Sequence, residues 1–203
     1  MGQITTVVFD IGNVLAGFDW QSYLRSFGFP EDTNRRLAAA TFQGNNWREL
    51  DRGAKTEEEI YADCLKEVPD LKKELAMVWS GRLGIVKEYD YSAEWIKSLK
   101  ARGCRVYILS NYGVNTFAAA ERSFSFLKHV DGMVISYEVL HIKPEPEIYE
   151  ELIRRYDIEP ESAVFIDDLQ PNVEAAERMG FHAIRFMTKQ ETEKKLEELL
   201  GCQ

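Results

Sequence analysis

Three short apolar runs restrict this chain more than any other feature: residues 5–10, 105–110 and 163–168, each β-rich and each closed by a polar group at its carboxyl end. A run that is apolar at successive positions fits a strand covered on both faces, as in a parallel sheet, and not one with a wet face. Residues 132–136 and 181–185 are weaker candidates for the same sheet. Between them, Ser92 reads as the cap of a helix running through Lys100, with Gly103 as its left-handed stop. Residues 171–179 have helical spacing ended by Gly180, and Thr188-Lys189-Gln190-Glu191 has the form of a capping box that opens a last helix. Strands alternating with helices predict an α/β fold, a Rossmann-like three-layer core around a parallel sheet with right-handed crossovers.

Residues 17–85 break this alternation. Between Asp19 and Ser80 the pattern is helical, with a second capping box at Thr56-Glu57-Glu58-Glu59, and no strand stands out. The spacing predicts a helical cap at 17–85 inserted after the first strand, with residues 1–16 and 86–203 forming the core. A chain of 203 residues is long enough to bury one core and to carry such an insert.

Composition narrows the partners. A formal charge of -9 opposes binding to a nucleic-acid backbone, and no basic patch offsets it. An acidic protein that handles an anion needs local positive potential from a metal ion, a lysine or a helix amino end. Cys64, Cys104 and Cys202 are widely spaced without a CxxC pair, which fits a reducing compartment better than a disulfide framework. The first residues have no basic region followed by an apolar stretch, and no run approaches the roughly 20 apolar residues of a membrane helix. The expectation is a cytoplasmic protein without membrane association, with its oligomeric state left open.

In open α/β sheets ligands bind beyond the carboxyl ends of the strands, so the polar groups ending different strands should converge. Asp10, followed by the small-residue turn Ile11-Gly12-Asn13, can offer one oxygen to phosphorus and the other to a cation. Asp167 and Asp168 are adjacent carboxylates after an apolar run, a pair that a cation would neutralise. Magnesium takes oxygen ligands and needs only one or two carboxylates besides a substrate phosphate. Ser110 and Asn111 can donate to phosphate oxygens, and Lys143, beside Pro144, can offset charge on Asp10 and on the phosphoryl group. Each of these residues, taken alone, also fits a capping, turn or surface role; their joint placement is the signal.

The segments Val8-Phe9-Asp10-Ile11-Gly12-Asn13-Val14, Leu109-Ser110-Asn111, Lys143-Pro144 and Phe165-Ile166-Asp167-Asp168 resemble, in order, the motifs of the haloacid dehalogenase superfamily of phosphohydrolases. The resemblance implies Asp10 as the nucleophile of an aspartyl-phosphate intermediate and Mg²⁺ held by Asp10, the Gly12 carbonyl and Asp168, with Asp167 beside it. It implies Ser110, Asn111 and Lys143 as phosphate-holding positions. The sequence departs from the usual phosphatase pattern at Gly12, where a second aspartate would serve as general acid and base. It is similar instead to the DxGxV branch, some members of which are sugar-1-phosphate phosphatases, and an anomeric oxygen leaves with less help from an acid.

The expected function is therefore Mg²⁺-dependent hydrolysis of a small phosphate ester, such as a hexose 1-phosphate. A non-catalytic phosphometabolite sensor and a haloacid dehalogenase are the alternatives. His129, His141 and His182 lack metal-ligand spacing, and His141 is kept as a remote substitute acid–base. Phe18, Trp20, Phe42, Trp47 and Arg48 of the cap could face a substrate, although aromatics in a small helical module mostly form its core, and 45–48 is the first place to look for specificity.

Overall fold

The structure, a computed structural model, describes residues 3–201; Met1, Gly2, Cys202 and Gln203, and with them the third cysteine, lie outside. Its strands in chain order are β1 (Thr6–Phe9), β2 (Ala16–Phe18), β3 (Val86–Glu88), β4 (Arg105–Ser110), β5 (Gly132–Ile135), β6 (Ala163–Asp167) and β7 (His182–Arg185). Five of them form a parallel sheet in the order β5-β4-β1-β6-β7. This is the predicted α/β Rossmann-like sheet, with all five anticipated strands in place.

Alternation of side chains explains the continuous apolar runs. Val7 and Phe9 of β1 point to one face, where they join Trp95, Ile96 and Leu99 of the Ser92–Ala101 helix. Val8 points to the other face, where it joins Ile148, Tyr149 and Leu152 of the Pro146–Tyr156 helix together with Ala175 and Ala176. Every residue of β1 is buried, as a central strand between two helical layers requires. Gly103 and Gly180 take the left-handed conformation that stops the helices before β4 and β7. Ser92 differs from its predicted role: it lies inside the first turn, and its buried hydroxyl donates to the Leu15 carbonyl at 2.6 Å instead of capping.

After β1 the chain leaves the sheet along β2 and returns along β3. These three-residue strands pair antiparallel, Ala16 with Glu88 and Phe18 with Val86, in a ribbon that the sequence pattern did not reveal. The segment between them holds the helices Trp20–Arg25, Glu31–Ala40, Asn45–Arg52, Glu57–Glu67 and Lys72–Gly81, packed around Leu37, Leu50, Ile60, Leu75 and Val78. The Thr56 capping box forms in both directions, with Thr56 Oγ1 accepting from the Glu59 amide and the Glu59 carboxylate accepting from the Thr56 amide. No helix among the described residues is long and apolar enough to cross a membrane.

One helix of this segment docks on the core. Arg52 reaches Glu145 with two hydrogen bonds of 2.7 Å, and the Ser136 hydroxyl donates to the Asp51 carbonyl at 2.5 Å. Gly53, at φ 74°, ends the helix so close to Tyr137 that an added Cβ would stand 2.8 Å from the Tyr137 Cβ and 2.9 Å from its Cα. Gly103 has a similar φ of 86° with nothing within 4 Å, so it isolates the backbone cost. Gly103→Ala is expected to lower stability by about 1–2 kcal/mol, the cost of a left-handed L-residue. Gly53→Ala is expected to lose more, because the docking contact adds to that cost. Urea unfolding midpoints measure both, and equal losses would show that the contact with Tyr137 yields freely.

Candidate active site

The sheet order brings the predicted groups together. β1 lies between β4 and β6, so Asp10 emerges beside the ends of both neighbours, and its amide still bonds the Ile166 carbonyl at 2.9 Å. The Ser110 hydroxyl donates to Asp10 Oδ1 at 2.6 Å. Lys143 enters from the loop before the Pro146–Tyr156 helix, its ammonium 2.8 Å from Asp10 Oδ1 and 2.6 Å from Asp167 Oδ2. The lysine side chain is 1% exposed, so this cation is enclosed by the carboxylates it bridges.

The other expected residues surround this cluster. Asp167 is fully buried behind the lysine: Oδ1 accepts from the Leu169 amide and Asn172, and Oδ2 accepts from Lys143 and Asn172. Asn111, expected at the phosphate, uses both ends of its amide on the Lys143 backbone, accepting from its N–H at 2.8 Å and donating to its carbonyl at 3.1 Å. Asp10, Gly12, Ser110, Asn111, Lys143 and Asp168 line one open cleft of about 580 Å³. Asp168 is steadied there by Asn13, whose side-chain amide donates to Oδ2 at 3.0 Å from a left-handed backbone at φ 55°.

The charges explain how this cluster is poised. Burial pushes the Asp10 carboxyl up to about 6, and Asp167 and Asp168 add to the rise while Lys143 opposes it. Burial also raises Asp168, against the pull of its Asn13 hydrogen bond. For Lys143, burial works against the charge, but the Asp10 and Asp167 carboxylates outweigh it and hold the ammonium above the ordinary lysine value. Oxygens of Asp10, Asp167 and Asp168 lie within 4.8 Å of one another. Three carboxylates against one lysine leave an excess of negative charge, and an all-oxygen donor set of this kind suits a hard divalent cation.

The opposite wall of the cleft comes from the helical segment. Phe18, Trp20, Phe42 and Trp47 line it as a connected group, with centroids 5.5 Å apart for Phe18–Trp47, 5.9 Å for Trp20–Phe42 and 4.9 Å for Phe42–Trp47. Arg48 joins them, so all five expected cap side chains face the cleft. His141 does not. It lies near Glu145, with Nδ1 3.6 Å from Oε2, in a separate groove with Glu147 and Arg154, because the turn that sends Lys143 inward sends His141 outward.

Asp51 was not anticipated. It lines the same cleft, half-buried, at the end of the Asn45–Arg52 helix, and desolvation there pushes its carboxyl up to about 8. The Gly113 amide and Lys143 act in the opposite sense, and Asp10 adds to the rise. A signal was present in the sequence: an acidic residue in the last turn before the Gly53 stop sits at the helix end that disfavours negative charge.

The model of the haloacid dehalogenase-like hydrolases matches residues 4–180. A sesquiterpene phosphatase of Aspergillus oryzae is 23% identical over 96% of this chain and 96% of its own length. A D-ribitol-5-phosphate phosphatase of Bacteroides thetaiotaomicron is 28% identical over 90% of this chain and 91% of its own. A HAD-family enzyme from Bacteroides thetaiotaomicron, solved in complex with magnesium and inorganic phosphate, superposes with a TM-score of 0.71 at 20% identity, covering 92% of this chain and 96% of that one. With a family match that spans nearly the whole sheet and the helical segment, the chain belongs to the haloacid dehalogenase-like hydrolases.

Proposed function

We propose that this chain is a Mg²⁺-dependent phosphatase that removes phosphate from a small-molecule ester through an aspartyl-phosphate on Asp10. The observation that carries the reading is the buried Lys143 bridging Asp10 and Asp167 while Asp10 and Asp168 stay open to the cleft. A fixed cation beside the nucleophile and a hard-cation site next to it are what phosphoryl transfer asks of a protein. Asp10, Asp168 and the Gly12 carbonyl would hold the metal, whose contribution when bound is to offset charge on the transferring oxygens. Asp167 belongs to the same acidic cluster, but its hydrogen bonds give it first the task of placing Lys143. Asn111 fixes the backbone that carries that lysine.

In this reading Lys143 keeps Asp10 oriented and partly neutralised, and one Asp10 oxygen attacks phosphorus. Ser110, already bonded to Asp10 Oδ1, is placed to turn toward a phosphate oxygen. Residues 17–85 act as the specificity cap on a core of 1–16 and 86–203. A dehalogenase needs the carboxylate nucleophile but no metal ion, so an acidic cluster suited to a hard cation favours the phosphatase.

The finer reading is a sugar phosphate such as a hexose 1-phosphate. Aromatic faces beside Arg48 and Asp51 suit the C–H faces and hydroxyls of a sugar ring. The same rings also suit an apolar chain, as in the ester that the sesquiterpene phosphatase is named for. A panel of hexose 1-phosphates, ribitol 5-phosphate, farnesyl phosphate and p-nitrophenyl phosphate, each with and without Mg²⁺, separates these. Turnover confined to farnesyl phosphate would replace the sugar reading, and turnover of no ester would leave the sensor.

Asp10→Asn is expected to lower the rate on every accepted ester by roughly 10³-fold or more, as loss of a nucleophile does. Acid-stable trapping of ³²P on the wild type should disappear in the variant. Activity that survives the substitution excludes the aspartyl-phosphate route. Stability gives a separate check. Because the folded-state values of Asp10 and Asp51 lie above the ordinary aspartate value, the folded protein binds more protons than the unfolded chain in that window. In chelator its melting temperature is expected to fall as pH rises from about 4 to about 8. Mg²⁺ competes with protons for Asp10 and Asp168, so it should raise the melting temperature more at pH 8 than at pH 5. Equal shifts at both pH values count against these ligands.

A further inference from the structure

We propose that Asp51 is the general acid and base of the site, giving a proton to the leaving oxygen and taking one from the attacking water, the role that no side chain fills at position 12. This assignment rests on the phosphatase reading. Among the described residues that line the cleft, the carboxyl side chains are Asp10, Asp51 and Asp168. Asp10 is committed as nucleophile and Asp168 as cation ligand, which leaves Asp51.

Its placement is built, not incidental. Asp51 lines the cleft beside the loop after β4, where Gly113 packs against the helix three residues beyond Ser110, whose hydroxyl holds Asp10. The helix approaches this loop closely only because Gly113 has no side chain: a Cβ there would lie 2.9 Å from the Leu50 carbonyl oxygen. The Ser136 hydroxyl anchors the Asp51 carbonyl, and Ser136 Oγ also accepts the Tyr112 amide at 2.9 Å, so one side chain ties the helix to the loop that follows β4. Arg52, the next residue, is turned away to Glu145 and Glu49 and does not neutralise Asp51.

The charged groups around Asp51 suit a proton donor. Asp10 across the cleft opposes its ionisation, Lys143 favours it, Arg48 lies one turn back on the same helix, and Tyr112 stands on the facing loop. Desolvation outweighs the rest and pushes the carboxyl up to about 8, toward the protonated form that a donor needs. At position 12 the space is open, since a Cβ would meet only Asp10 Oδ2 at 3.8 Å. The missing side chain there reflects no crowding.

The steps balance. An Asp10 oxygen bonds phosphorus as the P–O bond to the leaving group breaks, and the Asp51 proton goes to that oxygen to give the alcohol. Asp51, now a carboxylate, takes a proton from water as water bonds phosphorus and the Asp10–phosphorus linkage breaks. Inorganic phosphate leaves, and both aspartates return to their starting forms.

The test compares leaving groups in the Mg²⁺-loaded protein. Asp51→Asn is assayed on p-nitrophenyl phosphate, whose phenolate leaves without a proton, and on the alkyl phosphate the wild type cleaves fastest in the panel above. The expected result is a fall in kcat/KM of roughly 10²–10⁴-fold for the alkyl ester, against less than about 10-fold for the aryl ester. A burst of one p-nitrophenolate per chain should precede a slowed steady state, because the phosphoenzyme then lacks its base. Asp51→Ser runs in parallel, and the comparison uses whichever variant keeps the wild-type melting temperature. Equal losses on both esters, or no loss on either, overturn the assignment, as does a wild type that cleaves p-nitrophenyl phosphate and no alkyl phosphate. A wild type that cleaves no ester overturns the phosphatase reading instead.

Discussion

The ammonium of Lys143, enclosed between Asp10 and Asp167, is the contact around which the rest of the site is organised. Two carboxylates at the ends of adjacent parallel strands would repel each other and resist burial, and a buried charge left without a partner costs several kcal/mol. The lysine resolves this only if its own position is fixed. Asn111 grips its backbone from both sides, Asn172 and the Leu169 amide saturate Asp167, and Ser110 holds Asp10. The strand order then has a chemical meaning: β1 and β6 must be neighbours for a single cation to serve Asp10 and Asp167 together, and β4 on the other side of β1 brings Ser110 to Asp10.

The second organising element is the docked Asn45–Arg52 helix. Its contacts to Glu145, Ser136 and Tyr137 place the helical segment over the strand ends and close one side of the cleft. Glu145 follows Lys143 by two residues, so the loop that delivers the cation inward also receives the helix outside. Burial is the largest cause of the raised carboxyls of both Asp10 and Asp51.

Much of this was legible in the sequence, for identifiable reasons. The three central strands announced themselves because burial on both faces keeps them apolar up to the polar groups at their ends, whereas the half-buried edge strands β5 and β7 gave a weaker signal. The three-residue strands β2 and β3 carry too few residues for any period, and their pairing joins positions about 70 residues apart in the chain, a relation that only the tertiary fold supplies. Ser92 has a side chain that fits a cap, and what gave it another role was the distant Leu15 carbonyl. Asp51 was hidden because Asn45-Asn46-Trp47-Arg48-Glu49-Leu50-Asp51-Arg52 reads as an ordinary polar helix until its docking contacts are known.

Trp47, Arg48 and Asp51 occupy a single eight-residue helix, and the same helix carries the contacts that seat it on the core. Evolutionary change is constrained by that arrangement. In a chain whose proton donor sits on the catalytic sheet, the cap can drift toward new substrates while the reaction machinery stays intact. On the proposed reading, a substitution on the cleft face of this helix bears on both the recognition side chains and the donor, so selectivity and turnover are coupled. The open space at Gly12 is the route out: a single acidic substitution there could relocate the donor to the sheet and free the helix to diversify.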